Sequence, residues 1–313
     1  MLPSPSPPPD LWAITAYFNP VGFHRRLANY RAFRRHLQLP LATVELSFDG
    51  RFELDPDDAD ILVRVNGGDL MWQKERLLNL ALAALPARCT KVAWLDCDLI
   101  FESPAWGRLT SDALDRMPLL QPFAQVLRTP PDWSPGMPLA AETQALRAIG
   151  ALVEGGMTRD ACLRGIAETI GAAHGMAWAA RRSLLETHGF YDANIIGGGD
   201  SALLRAAFGY IGLLVERQKM NAPRERHYRA WAEPFHDAVR GQVGHVPGTV
   251  YHLWHGDPLL RQYVTRFDRF AACDYDPYHD VAVAPTGAWR WNSDKRDMHA
   301  FIRDYFHSRR EDG

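Results

Sequence analysis

The sequence has no apolar run long enough to cross a bilayer, and its first residues show no basic stretch followed by an apolar one. The reading is therefore a cytoplasmic protein with no transmembrane segment. Cysteine is scarce: Cys89, Cys97, Cys162 and Cys273 are scattered, with no CxxC pair. That excludes a disulfide framework and favours reduced thiols. Charge of neither sign dominates, with 35 Lys and Arg against 37 Asp and Glu. Beyond the short tail His307–Arg310 there is no basic block, so a nucleic-acid partner is not expected. No internal repeat is visible. What is present is 47% hydrophobic content over 313 residues, enough for one large α/β domain or two smaller ones. Residues 1–10, MLPSPSPPPD, read as a disordered proline-rich leader.

Short apolar runs at Trp12–Phe18, Thr43–Phe48, Ile61–Val65 and Lys91–Leu95 have the length and residue types of buried strands. Helical patterns lie between them, at His24–Leu37 and at Asp69–Leu85, the second with Asp69 as a candidate N-cap. This alternation predicts a mostly parallel sheet flanked by helices, in which ligands bind beyond the carboxyl ends of the strands. Residues 103–171 read differently. One strand-like run, Leu119–Val126, is followed by the breakers TPPDWSPGMP and two helical stretches, Glu142–Leu152 and Arg159–Ile170. The segment is expected to be an insertion over the site. Residues 11–257 form the expected catalytic domain, and 258–313 a helical extension packed on it.

The segment KVAWLDCDLIFE, Lys91–Glu102, delivers Asp96 and Asp98 from a buried strand. Carboxylates there are costly unless hydrogen-bonded or paired with a metal. A hard divalent cation, Mn²⁺ or Mg²⁺, suits such oxygen ligands and takes its remaining ligands from substrate phosphates. Capping of a following helix is the plain alternative. Cys97, between the two, is expected to face the core. In TVYHLWHGD, Thr249–Asp257, His252 and His255 fall on opposite faces of a continuous strand. Only one then reaches a metal, and His255, at the strand end, is the favoured one; a strand ending near Leu253 brings both inward. The turn IIGGGD puts three glycines before Asp200, which either caps a helix or accepts the proton of an attacking hydroxyl. Lys74 and Arg76 near a helix start suit a diphosphate, Trp72 suits a planar base, and each is equally ordinary as surface charge or core.

In this order the motifs resemble those of GT-A-fold glycosyltransferases, and the plan is similar to that of the β-1,4-galactosyltransferase group and its bacterial relatives. The resemblance rests on Trp72-Gln73-Lys74-Glu75-Arg76-Leu77-Leu78-Asn79, on Asp96-Cys97-Asp98, on Gly189-Phe190-Tyr191-Asp192, on Gly197-Gly198-Gly199-Asp200 and on a late histidine. It covers about residues 11–257. It implies that Trp72 and Lys74 contact the nucleotide, that Asp98 with His255 or His252 binds the metal, and that Asp200 is the base. The acidic turn departs from the family pattern: Gly199 stands where relatives carry Glu, and Ser201 and Ala202 where they carry further acids. Acceptor identity is therefore not carried over.

The expectation is a metal-dependent, inverting glycosyltransferase moving a sugar from a nucleotide-diphosphate donor, a UDP-sugar, to a hydroxyl of a glycan or glycoconjugate. Asp96 then contacts the ribose or a metal-bound water, and Tyr17, Phe18 and Asn19, at the end of the first strand, border the nucleotide, with Arg76 beside its phosphates. Two alternatives stand against it. One is a sugar-phosphate nucleotidyltransferase, which needs a glycine-rich loop after the first strand that Tyr17–Gly22 does not provide. The other is an inert binding protein of the same fold.

Overall fold

A computed structural model describes residues 8, 10–140, 143–165, 167–263 and 265–313. The proline-rich leader therefore lies, apart from Pro8 and Asp10, outside the described residues. The chain builds a mixed α/β fold on a seven-stranded sheet. From edge to edge its strands are Val243–His245, Leu119–Gln121, Ala177–Arg181, Lys91–Leu95, Leu11–Phe18, Leu41–Ser47 and Ile61–Asn66. Only Ala177–Arg181 runs against its neighbours, so the sheet is mostly parallel, as expected.

Side-chain alternation along the first strand shows how both faces are covered. Trp12, Ile14 and Phe18 pack in one core with Leu77, Leu78 and Ala81 of the helix Lys74–Ala83. Leu11 and Ala13 pack in the other with Phe33 of the helix His24–His36. Leu11, Ala13 and Ile14 are fully buried.

A second, five-stranded sheet has the order Leu99–Phe101, Thr249–His252, Gln125–Arg128, Ala145–Ala148 and Ala172–Ala173. The trio Leu99–Phe101 thus does not continue the strand Lys91–Leu95. The chain leaves the large sheet after Leu95 and enters the small one at Leu99, and Asp96–Asp98 is the crossing.

Several expectations need correction. The run Leu119–Val126 is two strands in different sheets, broken at Pro122, which has no N–H to donate to a ladder. Residues 103–171 therefore contribute to both sheets. In the stretch read as the helix Glu142–Leu152, Ala145–Ala148 is a strand and the helix starts at Ile149; Glu142 lies outside the described residues. The helix expected from Asp69 starts at Lys74. Asp69 accepts instead from the Trp291 N–H at 2.6 Å, and the Gln73 amide donates to the Trp289 carbonyl at 2.8 Å and accepts from its N–H at 2.7 Å. Those bonds hold residues 69–73 against a C-terminal hairpin, Val281–Val283 with Trp289–Trp291, in a segment expected to be helical.

Candidate functional site

One cavity of about 480 Å³ opens where the two sheets diverge, and Asp96, Cys97 and Asp98 line it. The crossing is held by backbone bonds: Asp96 N–H donates to the Met176 carbonyl at 2.8 Å, and Leu253 N–H to the Asp98 carbonyl at 2.9 Å. His252 lies opposite Leu99 in the antiparallel register, so it arrives beside Asp98. The strand stops at His252, which frees the chain to turn. That turn brings His255 to the same place, against the opposite-face geometry of a continuous strand. His255 Nε2 lies 3.3 Å from Asp98 Oδ2, His252 Nε2 lies 3.5 Å from Asp98 Oδ1, and the two Nε2 atoms are 3.0 Å apart.

This donor set fits a divalent cation. Ligand atoms about 2.1 Å from an ion lie about 3.0 Å apart in an octahedral arrangement and about 3.4 Å apart in a tetrahedral one. The observed separations fall at those values. Asp98 Oδ1 is buried without a hydrogen-bond partner. Burial, followed by the charges of Arg261 and His252, holds the His255 pKa well below its ordinary value and leaves the imidazole neutral, the form that ligates. Among the described residues this is the one cluster of three such side chains with metal-ligand spacing.

Across the cavity, Lys74 bridges two carboxylates, at 2.5 Å from Asp96 and 3.2 Å from Asp200. Burial works against the Lys74 charge, but Asp200 and Asp96 outweigh it and hold its pKa well above the ordinary value. Burial pushes Asp96 up to about 6, with Lys74 opposing and Asp200 and Asp98 adding to the rise. Asp200 is the second residue of the helix Gly199–Phe208, whose N-cap position is Gly198 at φ +97°; Asp200 is not itself the cap. A Cβ on Gly199 would sit 2.0 Å from Glu75 Oε1. The glycine is thus demanded by a buried carboxyl pressed against the turn. Burial lifts the Glu75 pKa to about 8; Lys74 opposes this and Asp200 adds to it.

Trp72 closes one side of the cavity. Its N–H donates to the Ile195 carbonyl at 2.8 Å, tying it to the acidic turn, and its ring stacks on Phe306 with centroids 6.2 Å apart. The Arg309 guanidinium lies 5.1 Å from the same ring. Phe18 also lines the cavity; Tyr17, Asn19 and Arg76 do not. Tyr17 donates to Glu53 at 2.6 Å, and Asn19 donates to Glu53 at 3.0 Å. Arg76 turns away to the Gly287 carbonyl at 2.6 Å and to Asp192 at 3.3 Å. These three expected donor residues thus lie outside the cavity lining.

The sequence did not single out the arginines beside the triad. Arg26, Arg261 and Arg309 line the cavity with Glu311. Arg26 holds Glu311 in a two-point pair at 2.6 and 2.8 Å, and Arg309 adds a third bond at 2.7 Å. Burial opposes the Glu311 charge, yet Arg26 and Arg309 keep its pKa far below the ordinary value. Arg261 contacts His255 Nδ1 and donates to the His255 carbonyl at 2.6 Å. Burial, then Arg309, lowers its pKa. Three guanidiniums thus face one carboxylate, Glu311, beside the triad. The basic tail His307–Arg310 signalled Arg309 alone, and it carried no hint of burial.

No protein-family model and no curated protein matches the sequence. Solved structures with a similar course of chain include glucosyl-3-phosphoglycerate synthase from Mycobacterium tuberculosis with Mn²⁺, UDP and phosphoglyceric acid. It is 15% identical, with 84% of this chain and 76% of that one covered and a TM-score of 0.41. S. aureus TarS with UDP is 9% identical, with 95% and 70% covered and a TM-score of 0.39. The 4-diphosphocytidyl-2C-methyl-D-erythritol synthase of Anaerococcus prevotii is 12% identical, with 76% and 88% covered and a TM-score of 0.30. These are distant likenesses of overall course, and they assign no residue of this chain a role.

Proposed function

We propose that this chain is a glycosyltransferase of the GT-A type that moves a sugar, with inversion, from a UDP-sugar to a hydroxyl of a glycan or other glycoconjugate. One observation carries the reading. A cation-ligating triad, from the crossing at Asp98 and the chain at the end of the strand Thr249–His252, and a carboxylate at a helix start, Asp200, line one cavity, and Lys74 ties Asp200 to Asp96. Asp98, His252 and His255 would hold Mn²⁺ or Mg²⁺, and the bound cation supplies stabilisation of the negative charge on the departing diphosphate. Coordination through His255 Nε2 requires the ring proton on Nδ1, so Arg261 would keep the carbonyl and release the ring.

Arg261 and Arg309 supply the charge-assisted hydrogen bonds that a diphosphate needs. Trp72 offers an aromatic face to the nucleotide. Asp96 and Lys74 orient the transferred sugar, and Lys74 also fixes the direction of Asp200. The acceptor oxygen bonds to the anomeric carbon as the bond from that carbon to the diphosphate oxygen breaks. The electron pair leaves with UDP, and the acceptor proton passes to Asp200.

Calorimetric binding of UDP with Mn²⁺ and with EDTA, to the wild type and to Asp98→Asn, tests the metal assignment. The expected result is tight binding only for the wild type with Mn²⁺; equal affinity in EDTA refutes it. UDP release from a panel of UDP-sugars then tests the transferase, and formation of a nucleotide sugar from a nucleoside triphosphate would instead favour the nucleotidyltransferase.

A further inference from the structure

Beyond Asp200 the cavity is lined by residues 172–176, by Ser201 and Arg205 of the helix Gly199–Phe208, and by Leu214, Arg217 and Gln218. Arg205 is only 2% exposed. Its Nη atoms donate to the Leu163 carbonyl at 3.1 Å and the Ser201 carbonyl at 3.4 Å. Arg217 donates to the Gly165 carbonyl at 3.2 Å and also to that of Arg164. The two side chains therefore hold three successive carbonyls at the end of the helix Arg159–Arg164, where carbonyls lack intrahelical partners.

That structural role does not account for everything at this end. Among the described residues neither arginine pairs with a carboxylate within 4 Å, since Asp200 is engaged by Lys74. Arg205 Nε and Gln218 Nε2 are both buried without a hydrogen-bond partner. Burial, and then Arg217, pushes the Arg205 pKa down to about 10, so each charge is costly beside the other. His174 completes the group: burial, then Arg205 and Arg217, push its pKa down to about 3. A neutral ring carries one donor and one acceptor nitrogen, and His174 Nε2 is buried without a partner.

We infer that the acceptor is a hydroxylated anion, its carboxylate or phosphate held by Arg205, Arg217 and Gln218 and a hydroxyl hydrogen-bonded to His174. The inference rests on the proposed function for the place of the acceptor beside Asp200. Two guanidiniums with unfilled N–H groups match an oxyanion, which also removes their mutual repulsion. A neutral acceptor would leave both charges uncompensated.

The test is calorimetry of three sugars of one frame, glucose, glucuronate and glucose 6-phosphate, into the wild type saturated with UDP and Mn²⁺. At least one anion is expected to bind about tenfold or more tightly than glucose, the size of one charge-assisted hydrogen bond. Which anion does so separates a carboxylate from a phosphate acceptor. R217Q is expected to bring the anion-to-glucose ratio to within about threefold of unity, and R217K to retain part of it. UDP affinity of each variant reports whether its fold is kept. Anions no tighter than glucose in the wild type overturn the inference without any variant, and so does a preference that survives R217Q in a folded protein. If the wild type does not bind UDP with Mn²⁺, the transferase reading fails separately. The same sugar series without nucleotide then still decides the anion site.

Discussion

Replacing Glu75 by Gln removes a buried ionisable group whose titration should be visible in stability. Glu75 is 6% exposed, and burial raises its pKa from 4.5 to about 8. A carboxyl with a raised pKa binds protons more tightly in the folded state. Its contribution to stability is complete below pH 4.5 and is lost as the pH rises through about 8. The whole climb corresponds to about 5 kcal/mol at 1.36 kcal/mol per pH unit, and the part between pH 6.5 and 8 to about 2 kcal/mol. At about 2.1 cal/mol/K per residue, a chain of this length shifts by about 1.5 °C per kcal/mol, so the wild type loses about 3 °C from this group over that interval. Gln has the shape of the protonated acid and does not titrate. The difference in Tm between Glu75→Gln and wild type should therefore grow by about 3 °C from pH 6.5 to pH 9. Thermal unfolding by circular dichroism, in EDTA and without nucleotide, measures it free of metal and donor linkage. Subtracting the two proteins cancels the other titrating groups. A difference that stays constant from pH 6.5 to pH 9 refutes the buried carboxyl.

His252→Ala and His255→Ala should each weaken Mn²⁺ binding, because both rings reach Asp98, at 3.5 and 3.3 Å; a Mn²⁺ titration in which one variant binds like wild type removes that histidine from the ligand set. Asp200→Asn should lose on the order of 10²–10⁴-fold in transfer rate while keeping UDP affinity, and near wild-type transfer returns the residue to a structural part. Gly199→Ala should destabilise by about 1–3 kcal/mol in urea unfolding, since its Cβ would meet Glu75 Oε1 at 2.0 Å. Open space there predicts the opposite sign, because Ala in place of Gly normally favours a helix by about 1 kcal/mol.

The order of strands and helices in the first hundred residues was readable because it rests on local pattern. Apolar runs such as Ile61–Val65 are short and β-branched, and helical spacing sets off Leu77, Leu78 and Ala81. The same pattern placed Asp96 just past a buried strand, where Leu95 ends it. Pattern did not reveal that Leu99–Phe101 belongs to a second sheet, since its partner, Thr249–His252, lies about 150 residues away in sequence. The position of that partner brings His252 and His255 to Asp98, and the turn after His252 undoes the strand alternation that separated them. Arg205, Arg217 and Arg261 were not singled out, because the sequence records a charge and not its burial. Only long-range packing decides whether a guanidinium meets water, a carboxylate or a cavity, and at Arg205 it meets a cavity.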